Sequence, residues 1–238
     1  GMQPLWVTVH GPGKKAATIL HFLLQAGQEG LEPEDYRAGV MLNKWRSRDP
    51  GDLAELDTLL TLGLIRYVHD ITHGRIAPYN RDPVLFAEAG DKNFKPVLII
   101  EQALQAPDLE AYLAGLPPGH VHYQRLKAAL QHYRELAQNS DWQTIPAGKT
   151  IHPGDEDPRM GLIRERLVQE KIPDIVIGDD PLFDEKTVAA IKEFQLKSKL
   201  EVDGIIGPMT LTALNMNPET IMEKIILNMA RWRWQERH

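Results

Sequence analysis

Cysteine is absent from all 238 residues, so the chain offers no thiolate nucleophile, disulfide framework or cysteine-based zinc site. The serines are Ser47, Ser140 and Ser198, and none stands in the GxSxG context that exposes a hydroxyl for acyl transfer. His10-Gly11-Pro12-Gly13-Lys14-Lys15 brings glycine and lysine together, but the GxxxxGK[ST] spacing of a phosphate loop is missing and the stretch reads as a turn. His69 and His73 stand at i, i+4, a metal-ligand spacing, yet Asp70-Ile71-Thr72 between them lacks the glutamate of HExxH and no third ligand is marked. His120 and His122 flank Val121 beside a Pro-Pro-Gly turn and read as a helix entry, while His10 and His21 fall in or near the first helix. Asp179-Asp180 are adjacent and cannot straddle a glycosidic bond across the ~5–9 Å that such chemistry needs. Asp155-Glu156-Asp157 lacks EF-hand spacing and reads as a solvated lead-in to a helix. The sequence therefore assigns no catalytic residue, no metal site and no cofactor.

Composition narrows the partners. Lysine and arginine number 27 against 33 acids, for a net charge of −6, which argues against nucleic acid because a basic face must supply that affinity. A length of 238 residues allows more than one core. No apolar run reaches the ~18–20 residues of a membrane span. The N-terminus shows no leader, and Gly1-Met2 reads as a cloning remnant, as expected of an exported protein expressed without its signal peptide.

The elements follow from apolar spacing and punctuation. Leu5–Val9 is a short β-prone run. A helix is expected over Ala16–Gln28 with Ala16, Ile19, Leu20, Leu23 and Leu24 on one face, closed by Gly27 and Gly30. Another short helix begins around Pro33. Asp49 as cap and Pro50 at the first helical position open a central helix carrying Leu53, Leu56, Leu60, Leu64, Tyr67 and Ile71, ending at His73-Gly74-Arg75 before Pro78. Further helices are expected over Pro96–Gln105, Leu109–Leu116 and Val121–Gln138, the last burying Tyr123, Leu126, Leu130, Tyr133 and Leu136 or Ala137. Residues 139–158, rich in Pro, Gly and Asp, read as a linker or loop pinned by Trp142, Ile145 and Ile151.

Asp184–Asn215 carries the most specific pattern. Asp184 caps a helix whose face holds Val188, Ile191, Phe194 and Gln195; Asp203-Gly204 turns the chain; Gly207-Pro208 starts a short helix with Thr210, Leu211 and Leu214. Thr187, Val188, Phe194-Gln195, Leu200, Val202-Asp203-Gly204, Ile206-Gly207-Pro208, Thr210 and Leu214-Asn215, with Met160, Ile163 and Leu167 upstream, resemble the small three-helix peptidoglycan-binding modules of bacterial cell-wall enzymes. The resemblance implies binding of wall material without naming the contact atoms. Its motif residues Phe194, Gln195, Asp203, Gly204, Gly207, Pro208 and Thr210 mostly build the core and its turn.

Three further stretches, Leu60–Pro78, Asp141–Met160 and Ile225–Trp234, resemble the non-catalytic part of large periplasmic L,D-transpeptidases of Gram-negative bacteria, in which a helical scaffold and such a module precede the catalytic domain. That domain works through a cysteine in an SHGC-type motif, which this chain lacks, so no enzymatic activity is expected of it. The expectation is an all-α chain: a helical scaffold over 1–140, a peptidoglycan-binding-like domain with its lead-in loop over 141–216, and a connector helix over 217–238 leading toward a catalytic domain that is absent. The implied partners are peptidoglycan and that catalytic domain, and the implied location is the periplasm. A different reading makes the chain a wall-targeting region or adaptor of a peptidoglycan hydrolase. In the last helix Ile221, Ile225, Met229 and Trp232 form an apolar seam, expected to dock on the helical unit; a membrane-surface anchor is the rival.

Overall fold

The computed structural model describes residues 3–74, 94–139 and 142–235. It is all-α apart from one two-stranded sheet, in which β1 (Val7–Thr8) pairs antiparallel with β2 (Gly11–Pro12). Two compact units are present: Gly1–His132 with Glu223–His238, and Tyr133–Met222. The expected helix stop at Arg75 and Pro78, and Ser140, lie outside the described residues.

In the first unit, α1 (Lys14–Leu24), α2 (Ala38–Lys44), α4 (Pro96–Gln105) and α5 (Leu109–Ala114) join α3 (Pro50–His73) in one apolar core. The Asp49 side chain accepts from the Asp52 N–H at 3.0 Å and Pro50 follows at the first helical position, as the sequence requires. The expected stripe is buried, and Leu59, Gly63 and Val68 are buried too, because α1, α2, α4 and β1 all pack against this one helix. Gly63 has a steric reason: a Cβ there would come within 2.9 Å of Leu23 Cδ1 and Met41 Cε. Leu24 is a correction; it is 41% exposed, since α1 ends there and only Ala16, Ile19, Leu20 and Leu23 reach the core.

Lysine and acid side chains satisfy the irregular segments of this unit. Lys15 Nζ donates to the carbonyls of Ala103, Leu104 and Ala106, closing the C-terminal end of α4. Asp57 Oδ1 accepts from the N–H groups of Leu5, Trp6 and Val7, fixing the entry to β1.

Two further helices contribute to the first unit in part: α6 (Val121–Asn139) through His132, and α10 (Pro218–Gln235) from Glu223 onward. Ile225 and Met229 of α10 are buried, and Trp232 stacks on His120 with ring centroids 4.5 Å apart. From Glu223 onward the expected seam packs in the helical unit, whereas Ile221 belongs to the second unit. Arg233, charged and near the end of α10, is only 3% exposed. It donates to the Glu29 carbonyl and, at 3.0 Å, to the Tyr123 hydroxyl. Tyr123 in turn donates to Glu29 Oε2 at 2.8 Å, and Lys127 pairs with Glu29 Oε1. Burial pushes the Tyr123 hydroxyl well above its ordinary range, which keeps it a donor.

Removing one member of such a network leaves buried polar atoms unpaired. Arg233→Ala is expected to destabilise the first unit by ~3 kcal/mol in denaturant unfolding. An unchanged midpoint would show that the network adds nothing to stability.

Candidate functional site

The second unit is built on three short helices, α7 (Met160–Gln169), α8 (Glu185–Lys197) and α9 (Pro208–Leu214). Met160, Ile163, Leu167, Ile191, Phe194 and Leu214 form its core, with Phe183 and Ile206 from the loops. Ile145 and Ile151 of the lead-in loop are each 1% exposed and belong to the same core. Asn215 binds Ile145 at both ends, N–H to Oδ1 and Nδ2–H to carbonyl, each at 2.9 Å.

Gln195 is the hub of the turn. Its side chain is 1% exposed. Its Oε1 accepts from the Gly204 N–H at 2.9 Å, and its Nε2 faces Asp203 Oδ1 at 2.8 Å, the Ile205 carbonyl at 3.0 Å and Thr210 Oγ1 at 3.1 Å. Asp203 Oδ1 also accepts from the Ile205 N–H at 2.8 Å. Gly204 has φ 75°, the left-handed region that glycine enters without cost, and a Cβ there would press on Lys192 and Val188. Gly207 has φ −86° with extended ψ, a conformation open to any residue; what matters at that step is Pro208 opening α9.

Three arginines hold this unit together, although apolar spacing alone does not mark them. Arg164 donates to the carbonyls of Gly178, Asp180 and Leu182 and to Thr187 Oγ1, so one buried guanidinium holds the whole loop before α8. Arg166 donates to the carbonyls of Leu214 and Gln143, and its Cζ lies 3.2 Å from the Trp142 ring centroid; burial lowers its pKa to about 10. Arg159 bridges Asp157 to the carbonyls of Pro146 and Lys149. The only signal in the sequence is their position on the apolar face of α7 and its entry, beside Met160, Ile163 and Leu167.

A groove of about 530 Å³ opens between the C-terminal end of α8 and α9. Its wall is mainly carbon, from Phe194, Leu200, Pro208, Met209, Met216 and Ile221. The polar groups are Tyr133, Glu170, Ser198 and Thr212. Thr212 Oγ1 is turned to the Pro208 carbonyl at 2.8 Å, while Tyr133 donates to Glu170 Oε2 at 2.6 Å. This is a concave surface of ligand size with few polar anchors, suited to binding. Of the motif residues, Phe194 and Pro208 line the groove, Gln195, Asp203, Gly204 and Thr210 hold the turn, and Gly207 precedes α9.

The other candidates are not gathered into a site. His69 and His73 stack with centroids 5.5 Å apart, with Phe94 edge-on to both, and His120 and His122 stack beside Trp232. Among the described residues no three metal-ligating side chains converge. Asp155 and Asp157 are used locally, accepting from the His152 N–H and from Arg159. Ser47 donates to Asp52 at 2.7 Å.

The fold and the groove define a helical binding module carried with a larger helical body. Residues 1–130 match the family model described as "Scaffold domain", over more than half of the 238 residues, and the chain belongs to that family. Residues 157–214 match the model described as "Putative peptidoglycan binding domain". A scaffold domain and a peptidoglycan-binding domain are therefore both found in the chain. No curated protein matches it.

Two tests address the module's framework. Phe194→Ala is expected to cost ~3–5 kcal/mol through the cavity it leaves, and Gln195→Ala ~1–3 kcal/mol by orphaning the Gly204 N–H; parent-like melting of either would remove that residue from the framework. Asp157, Asp184 and Asp203 are each held below the ordinary 3.8, chiefly by the Arg159 side chain, the Thr187 side chain and the Ile205 N–H respectively. A depressed folded pKa contributes stability that is present above the unfolded value and lost as pH falls through the folded one. The second unit should therefore begin to lose stability as pH drops below about 3.8, and Asp184→Asn should make that loss shallower.

Proposed function

We propose that this chain is the peptidoglycan-binding and scaffold region of a cell-wall cross-linking L,D-transpeptidase of the periplasm. On this reading it performs no bond chemistry itself and places a catalytic domain on its substrate. The groove on the second unit is the surface that meets the wall, and that groove, on a module matching a peptidoglycan-binding family, is the observation that carries the proposal. The transpeptidase assignment rests on the residue-level resemblance over Leu60–Pro78, Asp141–Met160 and Ile225–Trp234. The lack of cysteine agrees with a region that binds and does not acylate. Among the described residues no helix is long and apolar enough to cross a membrane.

Purified sacculi should sediment the protein while the muropeptide profile stays unchanged. Met209→Asp, at a 73% exposed position on the groove wall, should lower the bound fraction about tenfold without altering melting. New cross-links or released fragments would show an active site and end the reading. Reading the gene past the codon for His238 should reveal an SHGC-type motif; a zinc peptidase or paired-carboxylate domain there would assign the chain to a hydrolase.

A further inference from the structure

Glu170 is the one charged side chain in the lining of the groove. It stands at the C-cap of α7, where the last carbonyls already present partial negative charge and a carboxylate is disfavoured. Its Oε2 accepts from Tyr133 at 2.6 Å, and its Oε1 accepts nothing among the described residues. The nearby cation does not neutralise it by contact, because the Arg166 guanidinium is directed to the carbonyls of Leu214 and Gln143 and to Gln169 Oε1. Burial, and then the Glu170 charge itself, push the Tyr133 hydroxyl well up, so it stays protonated and holds the carboxylate in one orientation. An oriented acid with an open oxygen in the lining of a carbon-walled groove calls for a cation carried on an aliphatic stem.

We propose that the groove takes an aliphatic side chain ending in a primary ammonium, with its methylenes along Phe194 and Met209 and its charge on Glu170. Resting on the peptidoglycan reading above, this occupant is the free amine of the diamino acid in the stem peptide, not the glycan strand. A sugar ring would require a denser set of hydrogen-bonding groups than Tyr133, Glu170 and Ser198 provide. Tyr133 acts here as a positioning residue for Glu170.

The test uses the full chain and three probes in calorimetric titration: a disaccharide-tripeptide with its diamino acid amine free, the same molecule N-acetylated at that amine, and the disaccharide alone. The free-amine probe should bind about tenfold or more tighter than the acetylated one, the usual scale for one charge-assisted hydrogen bond. Glu170→Gln should erase that difference at unchanged melting temperature; if the variant melts early, the wild-type comparison still decides. Equal binding of free and acetylated probes by a protein that sediments with sacculi overturns the amine inference and leaves peptidoglycan binding standing. Tightest binding of the bare disaccharide overturns it in favour of the glycan. Failure to bind sacculi and all three probes overturns both.

Discussion

A carbonyl oxygen taken out of water must find a donor, and this constraint shapes the second unit more than its helices do. Its three helices leave long irregular stretches between them, with two isolated bridges, Ile151 to Ile206 and Glu156 to Leu182, as the sheet-like pairing. Buried guanidinium groups replace the missing ladder. Arg164 gathers three carbonyls of one loop, Arg166 ties the lead-in loop to the end of α9, and Arg159 closes the turn at Pro146–Lys149. Each guanidinium offers five donors in a fixed plane, which a lysine ammonium could not spread over several carbonyls. Burying such a cation is costly unless its donors are satisfied, and withdrawal from water is the main cause of the lowered pKa of Arg166.

The first unit meets the same constraint with an acid at the centre. Glu29 is 5% exposed and receives Tyr123 and Lys127 on its two oxygens, while its own carbonyl receives Arg233. Residues from α6, the 3-10 turn Ala26–Glu29 and α10 are thereby joined at one residue, through its carboxylate and its backbone carbonyl. The apolar seam of Ile225 and Met229 supplies the burial, and the polar network fixes the register of α10 that apolar contact alone would leave loose.

Most of the fold could be read from the sequence because its helices begin and end on explicit punctuation. Asp49-Pro50, Pro96, Asp184 and Gly207-Pro208 each mark a start that the structure keeps, and Gly204 marks the turn that requires positive φ. The apolar stripes of α3 and α8 were equally clear. What pattern reading missed were polar residues acting as core: Arg164, Arg166 and Arg233 have the composition of a solvated face and the burial of leucines. Periodicity counts them against burial, and their carbonyl partners lie up to 204 positions away, beyond any local rule. The groove was hidden for a related reason, since Tyr133, Glu170, Met209 and Ile221 come from four different helices or their caps and share no motif.

Phe194 shows how one side chain can serve both the core and the groove wall in a module of this size. It is 5% exposed, packs in the core with Ile163 and Ile191, and also lines the groove. A ligand seated there would stabilise the native state in proportion to its occupancy, because the unfolded chain has no groove to offer. The converse also holds: any change that loosens the core moves the groove wall. The functional contribution of such a residue therefore cannot be separated from its structural one by truncation. It separates only at positions such as Met209, where a side chain touches the groove while carrying little of the core.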